Sequence, residues 1–514
     1  MTPDIGLGNW LYQRALRTPH RPALTFEGTT WTYGELQQRI DRLAGALRAN
    51  GLCRGDRVGF LGFNQPSFLE CLFAAARLGA IFVPLNFRLS GPELGYIINN
   101  AGVHTMIADA PLRPVIDAIR NELPCRRYFS ADRPDDLWPS TDDLIAVHEP
   151  LRIGETVTED EVALIMYTSG TTGRPKGAML THGNIWWNNT NALLIFGSGG
   201  GDIFLAVAPL FHIGGLNCGV LTTWQTGGHV VLHRAFDPAR FLDDIAKFHV
   251  TSTFAVPAML LFVSQQPNFA SADLSSLHGV LCGAAPVPEP LMRLYADRGV
   301  PIDQGYGLTE ASPGLTFLDP EWGIGKLGSA GRSPMFTEVR LVTPDGREVT
   351  TPGQNGEIIA RGPNVMKGYW NNPEATAAAI DAEGWLHTGD VGTFDADGFL
   401  FIVDRVKDMV ITGGENVYPA EVENVLYEHP AIGEIAVIGL PDEQWGEAVV
   451  AVAALKQGAI LELEELRSFA TDRLARYKLP RRLEIVAALP RNPAGKVLKF
   501  ELRARFGAAD RPIR

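Results

Sequence analysis

Apolar residues follow helical and strand-like spacings in turn through the first part of the chain. Residues 32–51 place leucines and Ile40 on one helical face and end at Gly51, a residue typical of a helix C-terminus. Shorter apolar runs at 56–63 and 81–86 predict strands with a helix between them. The alternation recurs through HTMIAD, VALIMYT, DIFLAVAPL, GGHVVLH, TSTFAVP and GVLCGAAP. It predicts an α/β fold in which helices cover mostly parallel sheets.

The pattern changes after about residue 325. Short strand-like pieces punctuated by the turns PDG and PGQNG predict a compact antiparallel or barrel-like subdomain over about 325–400. A separate α+β pattern follows the segment FLFIVDRVKDM. We therefore predict a large N-terminal domain (1–403), a hinge (404–408) and a smaller α+β C-terminal domain (409–514).

Composition narrows the class of protein. Apolar residues make up 46% and charged residues 20%, as in soluble globular enzymes. The net charge of −13 argues against a nucleic-acid partner. The N-terminus does not resemble a signal peptide, and no apolar run reaches the length of a membrane span. The five cysteines are dispersed, without CxxC spacing, so we expect free thiols and a cytoplasmic location.

The segment YTSGTTGRPKG (167–177) predicts a phosphate-binding loop. Its spacing differs from a Walker loop, because the position five residues after Gly170 is Pro175. Glycines let backbone N–H groups approach an anion, hydroxyls add donors and a lysine adds a positive charge. The residues that supply these groups are Thr168, Ser169, Gly170, Thr171, Thr172, Gly173 and Lys176.

The longer segment YTSGTTGRPKGAMLTHGN resembles the signature of the adenylate-forming superfamily, which includes acyl-CoA synthetases, peptide-synthetase adenylation domains and firefly luciferase. The motifs APLFHIGG, QGYGLTE, GWLHTGD, DRVKDMVITGGENVYPAEVE and PRNPAGKVLK follow in order, so the resemblance covers essentially the whole chain. It implies that the enzyme activates a carboxylate with ATP and Mg²⁺ and then transfers the acyl group to CoA. It also implies a mobile C-terminal domain.

The resemblance assigns roles to individual residues. In QGYGLTE, Tyr306 would stack on adenine, Thr309 would bind the α-phosphate and Glu310 would hold Mg²⁺. Asp390 would bind the ribose, and Arg405 would be a second nucleotide contact. Further ATP or AMP contacts are expected at Gly283, Ala284, Ala285, Gln304, Gly305 and Gly307.

Other roles implied by the resemblance lie near and beyond the predicted hinge. Lys496 corresponds to the catalytic lysine that bridges the carboxylate and the α-phosphate. Lys407 corresponds to the residue about which the C-terminal domain rotates before the thiol attacks. Gly413 and Gly414 would then line the tunnel for the pantetheine arm of CoA.

The sequence indicates the class of the acid substrate and not the individual acid. Relatives that activate amino acids carry an aspartate where this chain has Phe211 and His212, so a free amino acid is disfavoured. We expect His212 near the substrate carboxylate, although a packed core imidazole is the alternative. The small residues Gly214, Gly215 and Gly283 leave volume for a bulky apolar acid. The sequence as a whole resembles both fatty-acyl-CoA and feruloyl-CoA synthetases.

Contacts with CoA are expected at Arg88, Arg476, Tyr477 and Lys478. The last three lie in the basic run RLARYKLPRR, whose alternative interpretation is a solvated helix end. Transfer of the acyl group to a carrier protein is the alternative within the superfamily, and a nucleotide-binding regulator that has lost its chemistry is the alternative outside it. We expect a monomer or homodimer.

Overall fold

A computed structural model describes residues 4–168, 175–285, 287–319, 321–405, 408–412, 415–442, 445–471, 473–474, 476–491 and 497–507. The chain divides into two compact units. The first comprises Met1–Val339 and Ala360–His387, and the second comprises Arg340–Ile359 and Thr388–Arg514. In the described ranges, no helix combines the length and apolar character needed to cross a membrane.

The strands alternate with helices as the apolar pattern predicts. The strands begin with β1 (Pro22–Phe26), β2 (Thr29–Thr32), β3 (Arg57–Leu61), β4 (Ile81–Leu85), β5 (Val103–Ala108), β6 (Arg127–Ser130), β7 (Val162–Thr168), β8 (Lys176–Thr181), β9 (Ile203–Ala206), β10 (His229–Leu232), β11 (Ser252–Ala255) and β12 (Gly279–Cys282). They continue with β13 (Ile302–Gly307), β14 (Gly314–Phe317), β15 (Glu338–Val342), β16 (Asn355–Arg361), β17 (Gly368–Tyr369), β18 (Leu386–Phe394), β19 (Leu400–Arg405), β20 (Val410–Thr412), β21 (Glu415–Val417), β22 (Ile432–Asp442), β23 (Gly446–Leu455) and β24 (Arg482–Ile485).

The helices of the first unit are α1 (Leu7–Arg17), α2 (Tyr33–Ala49), α3 (Pro66–Arg77), α4 (Gly91–Ala101), α5 (Arg113–Asp117), α6 (Thr141–Val147), α7 (His182–Phe196), α8 (Ile213–Gly215), α9 (Leu221–Thr226), α10 (Pro238–Phe248), α11 (Pro257–Ser264), α12 (Glu289–Ala296) and α13 (Pro373–Ala379). A π-helical turn, Leu216–Val220, joins α8 to α9. The second unit carries α14 (Pro419–Tyr427), α15 (Leu463–Ala470) and α16 (Lys499–Gly507).

Two large sheets form the first unit. One has the order β14-β13-β12-β11-β9-β10-β1-β2 and the other β17-β8-β7-β4-β3-β5-β6. In the first, β13, β12, β11, β9, β10 and β1 are parallel to one another, and the outer strands β14 and β2 are antiparallel. In the second, β4, β3, β5 and β6 are parallel. The predicted fold class is confirmed.

Local sequence explains where the predicted helices start and stop. Thr32 and Glu35 form a reciprocal capping box at the start of α2. The helix ends at Ala49, just before Gly51, which adopts a positive φ of 93° as the sequence predicts. Helix α3 begins with Pro66 in its first turn, and every residue after this proline is buried, so the helix lies inside the core.

The second unit contains two further sheets. Strands β15, β16, β18 and β19 form a four-stranded sheet, which accounts for the β-rich texture after residue 325. The C-terminal sheet has the order β21-β20-β23-β22, with β24 parallel to β23. One face of this sheet packs against α14 and α15 around Val437 and Val449, and the other packs against α16 around Ile438 and Val450.

Candidate active site

The predicted site residues of the first unit follow the carboxyl ends of neighbouring parallel strands. The loops after β9, β12 and β13 carry His212, Gly283 and Glu310, respectively. Because parallel strands end at the same edge of a sheet, these loops share one edge, which is where α/β folds bind their ligands.

The two ends of the phosphate loop are held together by a hairpin. Strands β7 and β8 are antiparallel, and Thr168 pairs directly with Lys176. The residues between them that we predict to bind phosphate, Ser169, Gly170, Thr171, Thr172 and Gly173, lie outside the described residues.

Glu310 forms the centre of a polar cluster beside this hairpin. Its side chain is only 8% exposed. Its Oε1 atom accepts hydrogen bonds from the Tyr369 hydroxyl at 2.9 Å and from Thr168 Oγ1 at 3.3 Å. Lys176 Nζ lies 5.2 Å from the centroid of the Tyr369 ring, within cation–π range. The predicted Thr168 and the unpredicted Tyr369 therefore both bind the Glu310 carboxylate, and the predicted Lys176 lies against the Tyr369 ring.

Burial of the Tyr369 phenol, followed by the negative charge of Glu310, raises the pKa of Tyr369. The hydroxyl consequently keeps its proton at neutral pH and remains a donor. In the described ranges, no cluster of three or more His, Cys, Asp or Glu side chains could chelate an ion. A metal at Glu310 would be held by this carboxylate, with substrate phosphates and water completing its coordination. This is how Mg²⁺ commonly binds in nucleotide sites.

Backbone pairing places Tyr369 at this point. Strand β17 is antiparallel to β8, with Tyr369 opposite Ala178. The next residue, Trp370, donates its backbone N–H to the Gly177 carbonyl at 2.7 Å. Met366 N donates to the backbone carbonyl of Glu310 itself at 2.8 Å. The tyrosine and the glutamate are thus fixed to one another through main-chain bonds as well as side chains.

Buried asparagines support the turn that carries Glu310. Asn188, on α7, accepts a hydrogen bond from Gly314 N at 2.9 Å. Asn364 donates to the carbonyl oxygens of Ala311 at 3.0 Å and Gly314 at 2.8 Å. Asparagine is a poor helix former, so the run NIWWNNTN inside an α-helix is the sequence signal that could have pointed to Asn188.

The other residues of QGYGLTE have different surroundings. Gln304 is buried. Its Oε1 atom accepts a hydrogen bond from Val287 N and its Nε2 atom donates one to Ser329 O, so the side chain stabilises the loop after β12. Gly305 and Gly307 lie in β13 opposite β14. Tyr306 and Thr309 are half-buried. The exposed Ala284 and Ala285 follow β12, and Ala284 has an unusual positive φ of 67°.

His212 lies in an aromatic part of the same edge. Its ring centroid is 4.3 Å from that of Phe211, which in turn makes an edge contact with Phe87. His212 is exposed, next to the buried Phe211. Desolvation, and secondarily the positive charge of Arg88, lower the pKa of His212 to about 4. The imidazole is therefore neutral at physiological pH.

Asn64 fixes the loop that carries His212. Its amide nitrogen donates to the carbonyl oxygens of Ala208 at 3.0 Å and His233 at 3.1 Å, and its oxygen accepts Leu210 N at 2.9 Å. Both polar atoms of this buried side chain thus bind backbone, and two of the three hydrogen bonds hold the segment before His212.

The small residues expected to leave room for the acid are not equivalent. A Cβ at Gly215 would collide with the carbonyl oxygen of Pro209, so this glycine is required by a close backbone approach. A Cβ at Gly214 would lie 3.0 Å from Phe254 Cζ, and one at Gly283 would lie 3.7 Å from Phe254 Cε2. An aromatic ring therefore occupies part of the space that the sequence alone left open.

The second unit carries Asp390 on β18, opposite Arg405 of β19. Thr388 Oγ1 donates to Ile358 O at 2.7 Å and accepts a hydrogen bond from Asp390 N at 3.1 Å, which fixes the TGD segment within β18. The side chain of Arg405 and all of Lys407, Gly413, Gly414 and Lys496 lie outside the described residues. Residues 413–414 are flanked by the antiparallel strands β20 and β21.

The expected CoA contacts in the C-terminal region form the short 3₁₀ helix Arg476–Lys478. Lys478 Nζ is already paired with the Glu421 carboxylate, at 2.6 and 2.7 Å from its two oxygens. Tyr477 and Lys478 line a groove of about 440 Å³ together with Asn424 and Tyr418. Arg476 is exposed.

Comparison with known proteins agrees with these features. A family model described as AMP-binding enzyme matches residues 11–370, and one described as AMP-binding enzyme C-terminal domain matches residues 421–496. A feruloyl-CoA synthase from Amycolatopsis sp is 46% identical over 98% of this chain and 99% of its own. A long-chain-fatty-acid–CoA ligase from Mycobacterium tuberculosis is 39% identical over 98% of this chain and 99% of its own.

Among solved structures, o-succinylbenzoate CoA synthetase from Bacillus subtilis in complex with its acyl-adenylate intermediate matches with a TM-score of 0.87 and 35% identity. The match covers 96% of this chain and 98% of that one. The same enzyme is also known in complex with ATP and magnesium ion. The chain described here belongs to the AMP-binding enzyme family, whose members named above are acid–CoA ligases.

Proposed function

We propose that this protein is an AMP-forming carboxylate–CoA ligase that acts on a bulky apolar acid of the aryl or fatty class. In the first step the acid carboxylate attacks the α-phosphate of ATP, giving an acyl-adenylate and pyrophosphate. In the second step the CoA thiolate attacks the acyl carbon, and AMP leaves as the acyl-CoA thioester forms. The observation that carries this proposal is the buried Glu310 carboxylate, held by Thr168 and Tyr369 beside Lys176.

The cluster suits a magnesium-bound triphosphate. Glu310 would hold Mg²⁺, because hydroxyl donors occupy its Oε1 atom and leave the carboxylate oriented for a hard cation. When bound, Mg²⁺ neutralises charge on the phosphates. Lys176 would bind the departing pyrophosphate, and Thr309, at the start of the same turn, would donate to the α-phosphate.

The neutral His212 imidazole would orient the acid. With a pKa of about 4 it carries no net charge at physiological pH, so it offers an N–H donor without forming an ion pair with the carboxylate. An ion pair would lower the nucleophilicity of the carboxylate, whereas one neutral hydrogen bond positions it for attack.

The remaining roles rest on the sequence resemblance. The proposed domains are residues 1–403 and 409–514, with a hinge at 404–408 centred on Lys407. Lys496 would stabilise the charge that develops during adenylation, and Asp390 and Arg405 would bind the nucleotide. After rotation, the pantetheine arm would pass Gly413 and Gly414.

CoA nucleotide contacts are proposed at Arg88, Arg476 and Tyr477, with Lys478 oriented by Glu421. Arg88 lies over the rings of Phe87 and Phe211, on the same aromatic surface as His212. We place the enzyme in the cytoplasm, where ATP, CoA and reduced cysteines occur together.

Steady-state product analysis tests the proposal. We expect pyrophosphate release that requires acid, ATP and Mg²⁺, and AMP release that also requires CoA. Turnover with a phosphopantetheinylated carrier protein and none with CoA would support acyl transfer to a carrier instead. ATP binding with no acid-dependent pyrophosphate would support a regulator.

A further inference from the structure

Phe254 occupies a central place at the ligand-binding edge of the eight-stranded sheet. It is the third residue of β11, and β11 lies between β12 and β9 in the sheet. The loops after these two neighbours carry Gly283 and His212. The Phe254 side chain is 7% exposed. It therefore projects from the middle strand toward the gap between two loops of the candidate site.

The ring reaches both loops. A Cβ at Gly214 would lie 3.0 Å from Cζ and 3.1 Å from Cε1 of Phe254, which is tighter than an ordinary van der Waals contact. A Cβ at Gly283 would lie 3.7 Å from Cε2 of the same ring and 3.0 Å from the Gly305 carbonyl oxygen. One phenyl ring thus fills the space that the two missing side chains leave.

Many buried phenylalanines only fill the core, but this one lies at the boundary between core and site. Its ring lies against the helical turn that begins directly after His212 and against the loop that continues into Ala284. His212 and Ala284 are both exposed. The core cluster to which Phe254 belongs includes Ile213, with Leu281 packed against it. Apolar groups therefore surround the ring on the inner side, and accessible groups lie on the outer side.

We propose that Phe254 forms the floor of the acid pocket and restricts the substrate to a compact, flat aryl acid. This inference rests on the proposed function and narrows its substrate class. A long flexible acyl chain needs a continuous apolar channel past the ends of β9 and β12, and the Phe254 ring lies between the Gly214 and Gly283 positions where such a channel would run. A planar substrate can instead pack against the ring edge or face, an arrangement that aromatic pairs favour.

Selectivity measurements on variants test this role. The ratio of kcat/KM for hydroxycinnamic acid to that for hexadecanoic acid is measured by pyrophosphate release for the wild type, Phe254→Leu and Phe254→Ala. The wild type should favour the aryl acid by at least about 10-fold, because even one methylene changes selectivity by this order in an apolar pocket. Both variants should shift the ratio toward the fatty acid, with alanine shifting it more, by about 10-fold or more.

Two further variants distinguish pocket shape from stability. Phe269 is 6% exposed and packs against Tyr295, so Phe269→Ala removes an equally buried ring elsewhere in the same unit. It should lower the melting temperature and leave the selectivity ratio unchanged. In Phe254→Ala, a second change, Gly214→Ala, refills part of the vacated space and should move the ratio back toward the aryl acid.

The outcomes separate the two proposals. A wild type that prefers hexadecanoic acid, or Phe254 variants that keep the wild-type ratio, would overturn the role of Phe254 while leaving the ligase function intact. Absence of acid-dependent pyrophosphate release with either acid would overturn the ligase function, and the pocket assignment with it.

Discussion

The hydroxyl of Tyr369 offers a direct test of the polar cluster around Glu310. Tyr369→Phe removes one hydrogen bond, of 2.9 Å, to the buried carboxylate. It keeps the aromatic face that lies 5.2 Å from Lys176 Nζ, so the substitution isolates the hydroxyl from the cation–π contact. The backbone pairing of β17 with β8 does not involve the side chain and should persist.

The expected loss can be estimated from the contacts. A hydrogen bond to a charged group contributes about 1.5–3 kcal/mol. Thr168 remains as a second donor to the same oxygen at 3.3 Å, so we expect the lower half of that range, about 1.5–2 kcal/mol. Because about 1.4 kcal/mol corresponds to a factor of ten, adenylation should fall by about 10- to 30-fold at limiting Mg²⁺.

Two measurements test whether weaker metal binding causes the loss of adenylation in Tyr369→Phe. Pyrophosphate release as a function of Mg²⁺ concentration should show a raised metal requirement, and paramagnetic resonance of Mn²⁺ with ATP should show weaker metal binding without turnover. Thioester formation from a preformed acyl-adenylate should be unaffected, since it needs neither ATP nor the metal.

The matched control is Tyr295→Phe, which removes a phenol hydrogen bond of 2.8 Å to the Leu260 carbonyl in the core. If both variants showed the same metal dependence as the wild type, the proposed positioning of Glu310 would be refuted. An equal loss in both half-reactions of Tyr369→Phe would also contradict it.

Other substitutions probe the surroundings of the site. Asn188→Ala leaves the buried Gly314 N–H without its acceptor and should lower the free energy of unfolding in urea by about 1–3 kcal/mol, whereas the exposed Asn99→Ala should have little effect. His182 is buried, and desolvation lowers its pKa from 6.5 to about 4. The unfolded chain therefore binds the proton more readily, so stability should be complete above pH 6.5 and fall by up to about 3 kcal/mol toward pH 4. His182→Gln should flatten this dependence of stability on pH. An unchanged pH dependence would show that other titrating groups cause it. Lys496→Ala should lose adenylation by several orders of magnitude and still convert a preformed acyl-adenylate to thioester; equal loss of both steps would contradict a role confined to adenylation.

The sequence was sufficient to predict the fold class and part of the cluster. Apolar periodicity predicted the parallel strands, and the motifs predicted Thr168, Lys176 and Glu310, which the structure brings together. Tyr369 was missed because it lies 59 residues from Glu310, and only the pairing of β17 with β8 brings the two together. Contacts of this kind are set by tertiary structure, which local patterns do not encode.

The pocket was harder to predict for a related reason. Glycines at 214 and 283 indicate missing side chains, but the sequence does not say what fills the space. The answer, the ring of Phe254, comes from a neighbouring strand. Similarly, Lys478 is one of several basic residues in the sequence, and only the structure shows that Glu421 is its partner.

Single-turnover analysis tests the central claim most directly. Enzyme in excess is mixed with a hydroxycinnamic acid and magnesium ATP in the absence of thiol, and is then mixed with CoA. We predict that one equivalent of pyrophosphate and an enzyme-bound acyl-adenylate accumulate first, and that CoA then converts the adenylate to acyl-CoA and AMP. Failure of the adenylate to form, or its persistence after addition of CoA, would contradict assignment of this protein as a two-step acid–CoA ligase.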